Sequence, residues 1–178
     1  MNTNHKSDFR ISSIKRLKFY SSFAKYSKSK KIVKKLKEII KTKRANSILL
    51  FVPLGLEVDI RSLILELRRA KKDIYVPFMQ DDSFKMVKYR LPLQKKKFGI
   101  YEPNNSFCKT KKIDLAVVPI VGVDALNKRV GFGKGMYDRF FYRLNYKPTI
   151  VFTQLVLCKS DKILSNEYDI EANYIVTG

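Results

Sequence analysis

One histidine, two cysteines and no tryptophan stand among 178 residues, and these shortages exclude a good deal of chemistry. The sole imidazole, His5, lies near a terminus. A Ser-His-Asp triad, a Cys-His pair and a histidine-held zinc site therefore lack a base or a ligand set. Cys108 and Cys158 are far apart and in no CxxC pattern, which points to a reduced, cytoplasmic setting without disulfide staples. No apolar run approaches the roughly 18 residues of a membrane span, and MNTNHKSDFR lacks the apolar core of a signal peptide. Acidic groups are scarce as well: 16 against 37 Lys and Arg leave a formal charge of +21. Such a charge suits nucleic acid, an anionic membrane surface or small polyanions such as nucleotides. Yet Lys is spread almost everywhere, including 28-KSKKIVKKLK-37 and 95-KKK-97, as a bias in composition would spread it. Charge alone leaves those readings open.

What is present supports one folded unit. A chain of this length can bury a sizeable core unaided, and a 45% hydrophobic content argues against disorder. Residues 6–44 read as two basic helices, with Ile11, Ile14, Leu17, Phe19 and Phe23 near helical spacing in the first. Ile32, Val33, Leu36, Ile39 and Ile40 repeat that spacing in the second, with Ser29 as its expected cap. The run 47-SILLFVPL-54 predicts a strand buried on both faces. Residues 59–72 predict an amphipathic helix with Asp59 near its start, and 73–78 the next strand. A strand pair near 85–89 leads to a loop at 99–107, then 113–124 predicts a buried strand entering a turn. A helix is expected over 135–145, and strands over 149–154 and 174–177. Strands alternating with helices, without repeat or linker, predict a single α/β domain: a largely parallel central sheet flanked by helices, with 6–44 packed on the core. Ligands of such sheets sit beyond the carboxyl ends of the strands.

Glycine is rare, only seven residues, yet three fall within 131–135. The stretch 128-KRVGFGKGMYDRFF-141 is no P-loop, because Lys134 is followed by Gly135 and Met136 rather than Ser or Thr. It is no dinucleotide fingerprint either, since Gly131, Gly133 and Gly135 alternate and Met136 fills the last glycine position. Alternating glycines let backbone amides turn inward as an anion nest, and a helix beginning near Gly135 adds its own N–H groups. Arg129 and Lys134 add positive charge. Asp138, in the first helical turn, suits either the helix dipole or an oxygen ligand for Mg²⁺ brought by a nucleotide. On the residues alone the loop reads equally as a tight structural turn or a phosphate cradle.

Taken whole, 114-DLAVVPIVGVDALNKRVGFGKGMYDRFF-141 resembles the 5-formyltetrahydrofolate cyclo-ligase family, also called 5,10-methenyltetrahydrofolate synthetases. That family shows an apolar strand ending in Pro, then an Asp, then Arg-Leu-Gly-x-Gly-x-Gly-Tyr-Tyr-Asp. Pro119, Asp124, Arg129, Gly131, Gly133, Gly135, Tyr137 and Asp138 match in register. Lys6-Ser-Asp-Phe-Arg10 resembles the N-terminal Lys-x-x-Leu-Arg element, 52-VPLGLEVD-59 the segment bearing a folate-contacting glutamate, and 99-GIYEP-103 the Gly-Ile-x-Glu-Pro turn. Gln154-Leu-Val is similar to a late Gln-Leu segment. Three positions depart from the pattern: Met136 replaces a Tyr, Phe9 a Leu, and Asn173 an Asp near the C-terminus.

The resemblance implies an enzyme that uses ATP and Mg²⁺ to close 5-formyltetrahydrofolate, polyglutamylated or not, to 5,10-methenyltetrahydrofolate. It implies ATP contacts from Lys6, Arg10 and the stretch Arg129, Val130, Gly131, Phe132, Gly133, Lys134, Gly135, Met136 and Tyr137. Folate would touch Val52, Glu57, Gly133, Lys134, Gly135 and Tyr137. Arg129 and Lys134 would support transfer, and Asp138 would bind Mg²⁺ with Asn173, Asp169, Glu171 or water as second ligand. Truncating Asp138 is expected to stop turnover with the fold intact. The resemblance leaves a monomer or a small homo-oligomer open. The sequence also admits two other readings: a basic nucleic-acid-binding protein, and a family member that binds folate or nucleotide without turnover.

Overall fold

In chain order the elements are α1 (Thr3–Phe23), α2 (Lys25–Thr42), β1 (Ser47–Leu49), α3 (Arg61–Arg69), β2 (Asp73–Gln80), β3 (Ser83–Lys88), β4 (Leu93–Lys95), β5 (Tyr101–Pro103), β6 (Leu115–Pro119), β7 (Gly122–Val123), β8 (Arg129–Val130), α4 (Met136–Tyr142), β9 (Thr149–Gln154) and β10 (Tyr174–Thr177). They come from a computed structural model that describes residues 3–96, 99, 101–104 and 110–178, with side chains from residue 5 onward. Cys108 and part of the expected 99–107 loop lie outside these residues.

Successive strand residues point to opposite faces, and here both sets are apolar. Ile48, Leu50, Ile74, Leu115, Val117, Val151 and Val176 meet α2 and α3 through Ile32, Leu36, Ile40, Leu63 and Ile64. The alternate residues Leu49, Tyr75, Ala116, Val118 and Phe152 meet Phe84, Phe140 and Phe141 on the other face. This double burial is why the strands read as continuous apolar runs. The main sheet has the order β10-β9-β6-β1-β2-β3. Its pairs are parallel except β2 with β3, a hairpin turning at Asp81 and Asp82. The expected α/β architecture is therefore present.

Several expectations shift in detail. The 47–54 run pairs as a strand only over Ser47–Leu49; Leu50 and Phe51 stay buried as the chain turns off the sheet, and Pro53 has no N–H to extend a ladder. Part of the 99–107 loop is a strand, β5, paired with β4. Buried Glu102 there accepts the Met79 N–H at 3.0 Å. Ser29 is no cap. α2 starts four residues earlier at Lys25, and the Ser29 Oγ instead accepts the Asp59 N–H at 3.0 Å. In α1 only Ser13 and Leu17 are buried among the described side chains, while Ile11, Phe19 and Phe23 are each more than half exposed.

The turn that follows β7 is organised by a single buried carboxylate. Asp124 Oδ1 accepts the N–H groups of Leu126 and Lys128, each at 3.0 Å. Its Oδ2 accepts those of Leu164 at 3.1 Å and Ser165 at 3.0 Å. Burial opposes the charge, but the hydrogen bonds from Ser165, Lys128 and Leu164 outweigh it and hold this carboxyl below the usual range. Its stabilisation is therefore complete above the unfolded-state pKa near 4 and is lost as pH falls through the lower folded value. Asp124→Ala, which removes the acceptor of four backbone donors, one of them buried at Leu164, is expected to cost about 3 kcal/mol, read as a lowered denaturant midpoint with an unchanged slope.

Candidate functional site

Two connections leave the carboxyl ends of β1 and β6 and meet. After β6 the chain forms the short β7–β8 hairpin, with Gly122 opposite Val130 and Val123 opposite Arg129. That pairing sends the Arg129 side chain inward, where it is 5% exposed. Its Nη1 donates to Asp138 Oδ2 at 2.9 Å. Nε and Nη2 each approach the Pro119 carbonyl at 3.4 Å, and the guanidinium lies 5.1 Å from the Tyr137 ring centroid. Arg129 thus braces the glycine loop from behind.

The glycines answer to that packing. A Cβ on Gly131 would sit 2.4 Å from Arg129 Nη1, so no larger residue fits there without moving the guanidinium. Gly135 has φ +61° and stands at the N-cap of α4 in the left-handed region that glycine tolerates. Val130 is buried, Phe132 and Lys134 are exposed, and Met136 and Tyr137 are half-buried. The Met136 carbonyl accepts Ser83 Oγ at 3.1 Å. Arg139, which no motif in the sequence marks, donates from Nη2 to the Lys134 carbonyl at 2.5 Å and also holds the Asp82 carbonyl.

The N-terminal helix reaches the same loop. Arg10 Nε donates to the Gly131 carbonyl at 2.8 Å, and Lys6 Nζ pairs with Asp169 Oδ2 at 2.5 Å. Phe9 closes against Gly122, where a Cβ would lie 2.7 Å from its ring. Residues more than a hundred positions apart are thereby brought together, and the two cations named by sequence both face the 129–138 region or its 169–170 neighbour.

Glu57 approaches from the β1 side. Its Oε2 accepts the Leu54 N–H at 2.8 Å. Burial pushes its carboxyl up to about 7, against the Leu54 N–H and the positive charges of Arg129 and Lys25. Burial, and then the Glu57 charge, likewise hold the Tyr137 hydroxyl above the usual phenol range. Glu57, Tyr137 and Arg129 therefore share one electrostatic environment, with half-buried Val52 on the same connection as Glu57.

The metal expectation divides. Among the described residues no three His, Cys, Asp or Glu side chains gather as a metal cage. Asp138 is 7% exposed; its Oδ2 belongs to Arg129, while Oδ1 has the Ile170 N–H at 3.4 Å, the long limit of a hydrogen bond. The expectation that Asp138 could be truncated without cost to the fold is corrected by this pairing, because loss of the carboxylate leaves a buried guanidinium uncompensated. Asn173 Oδ1 accepts the Ile150 N–H at 2.7 Å. That contact lies level with Ala116, three residues and about 10 Å along the strands from Pro119. Asp169 is paired with Lys6 and also accepts the Asn166 N–H. One loosely held carboxylate oxygen fits a cation that arrives on phosphate oxygens and water, and does not fit one resident in a protein cage.

Comparisons with known proteins bear on the family of the chain. The profile of the 5-formyltetrahydrofolate cyclo-ligase family matches residues 2–178. The 5-formyltetrahydrofolate cyclo-ligase of Haemophilus influenzae is 25% identical over 138 residues, 73% of this chain and 74% of that protein. The Escherichia coli K12 protein of the same name is 26% identical over 142 residues, covering 75% and 78%. Among solved structures, the Aquifex aeolicus 5,10-methenyltetrahydrofolate synthetase superposes with a TM-score of 0.77 at 26% identity, covering 97% of this chain and 89% of that one. A Mycoplasma pneumoniae 5,10-methenyltetrahydrofolate synthetase, at 23% identity, shares the fold with a TM-score of 0.75 over 96% and 97% of the chains. With the profile spanning nearly every residue, the chain belongs to the 5-formyltetrahydrofolate cyclo-ligase family.

Proposed function

We propose that the chain converts 5-formyltetrahydrofolate to 5,10-methenyltetrahydrofolate with cleavage of ATP to ADP and phosphate, in the presence of Mg²⁺. The observation that carries this reading is the convergence of Arg10, Gly131, Arg129, Tyr137 and Glu57 on one loop. The formyl oxygen attacks the γ-phosphorus and ADP departs, which turns a poor leaving oxygen into a phosphate ester. N10 then attacks the formyl carbon and loses its proton, and phosphate leaves with the former formyl oxygen. Neither half needs a histidine or a thiol, because phosphoryl transfer depends on positioning and charge stabilisation.

The residues divide that work. Backbone amides between Gly131 and Gly135, with exposed Lys134, would hold the phosphates and the charge that develops on them. Arg10 is tied to the Gly131 carbonyl and Lys6 to Asp169; a triphosphate at the loop would compete for both cations and draw α1 over the nucleotide. Arg129 would keep the loop in shape and add its positive field from beneath. Val52, Glu57 and Tyr137 would line the folate side, with Glu57 hydrogen-bonding the ring system. Asp138 Oδ1 would supply the protein oxygen to Mg²⁺, which neutralises phosphate charge when bound. Asn173 Oδ1 is engaged by the Ile150 N–H and would have to give up that bond to share the duty.

Purified protein given 5-formyltetrahydrofolate is expected to develop methenyl absorbance only when ATP and Mg²⁺ are both supplied; absence of product under those conditions contradicts the reading. A second expectation concerns Glu57. Its folded pKa of about 7 lies above the unfolded value near 4.3, so wild-type stability falls as pH rises between those values. Glu57→Gln escapes that loss. Its Tm should match wild type near pH 4 and exceed it at pH 8, while its affinity for 5-formyltetrahydrofolate drops about tenfold, the scale of one lost charged hydrogen bond. Thermal melts across that pH range check the first part, and folate titration the second.

A further inference from the structure

We infer that Lys25, seconded by Ser29, is a positioning residue that clamps the 54–59 connection and so aims the Glu57 carboxylate at the folate; this rests on the folate reading of Glu57 given above. Lys25 and Ser29 are one helical turn apart on α2 and face the same way. Lys25 Nζ donates to the Gly55 carbonyl at 2.6 Å and the Leu54 carbonyl at 3.3 Å. Ser29, 4% exposed, accepts the Asp59 N–H at 3.0 Å. The two ends of the connection are thus fastened to one helix. Between them Glu57 closes a turn on Leu54, its N–H donating to the Leu54 carbonyl at 3.1 Å and its Oε2 accepting the Leu54 N–H at 2.8 Å.

Past the turn, Val58 anchors the connection in the core. The turn itself belongs to neither a strand nor a helix, and a Cβ on Gly55 would meet no atom within 4 Å. Lys25 is half-buried, and burial pulls its ammonium below the usual range against the opposing charge of Asp59. The charged and titratable groups facing Glu57 are Lys25 from α2, Arg129 from β8 and Tyr137 from α4. Lys25 alone among them also holds the backbone that carries the carboxylate. A lysine in this position serves the geometry of its neighbour rather than solvent.

The test compares Lys25→Met, Lys25→Arg and Ser29→Ala, each alone, and Lys25→Met combined with Glu57→Gln. Amide exchange at Leu54 and Glu57 should accelerate about tenfold in Lys25→Met, as expected when local ties are lost. The Kd for 5-formyltetrahydrofolate without ATP should rise about tenfold while KM for ATP stays within about twofold, since only one substrate depends on Glu57. Lys25→Arg should restore both readings, and Ser29→Ala should move them the same way by less. In the Glu57→Gln background Lys25→Met should weaken folate binding no further, because the two act as one unit. Unchanged exchange and Kd in Lys25→Met, full additivity with Glu57→Gln, or an equal rise in KM for ATP would overturn the inference. Should wild-type protein neither bind nor convert the folate, the proposed function fails, and the exchange measurement still decides whether Lys25 is a clamp.

Discussion

A buried ion pair between Arg129 and Asp138 joins pieces of backbone that are otherwise remote from one another. Arg129 leaves β8, reaches the carbonyl at the end of β6 through Pro119, and meets the first turn of α4 through Asp138. Its own N–H donates to the Ile170 carbonyl at 2.9 Å, and the Ile170 N–H points back at Asp138. Exposed pairs such as Lys37 with Glu66 contribute little. A buried pair is different: removing one partner costs about 3–5 kcal/mol, because the other charge is stranded away from water. The glycine loop between the partners therefore has its two ends held at a set distance.

The same pair explains why glycine is concentrated where it is. Gly131 is small because the guanidinium lies against it, and Gly135 is needed where the chain enters α4 left-handed. Under the proposed function, a loop held this way would supply fixed backbone amides, the form of stabilisation that phosphoryl transfer uses most. On that proposal the stability and the chemistry of this region are coupled. Asp138 cannot be read as a ligand alone, nor Arg129 as a phosphate contact alone.

Much of the fold was legible because its physics is periodic. Ile32, Val33, Leu36 and Ile40 in α2 recur at helical spacing and are buried, and 115-LAVVP-119 is apolar throughout because β6 is covered on both faces. Where the pattern misled, tertiary context had replaced it. The apolar positions of α1 follow a helical period, yet Ile11, Phe19 and Phe23 remain in solvent. Ser29 resembles a cap by type but serves a backbone 30 residues away. At the site, family resemblance marked Arg129, Asp138, Glu57 and Arg10 without indicating which of them touch. No local pattern could pair Lys25 with the Leu54–Glu57 turn, since that link exists only once α2 has docked on the sheet.

The central claim is that the loop braced by Arg129 and Asp138 delivers the γ-phosphoryl group of ATP to the formyl oxygen of the folate. The most direct measurement uses 5-formyltetrahydrofolate labelled with ¹⁸O in the formyl group and follows the label by mass spectrometry after turnover. The account predicts that the label is recovered in inorganic phosphate, one atom per phosphate released. Recovery of the label in water, with unlabelled phosphate, would contradict it.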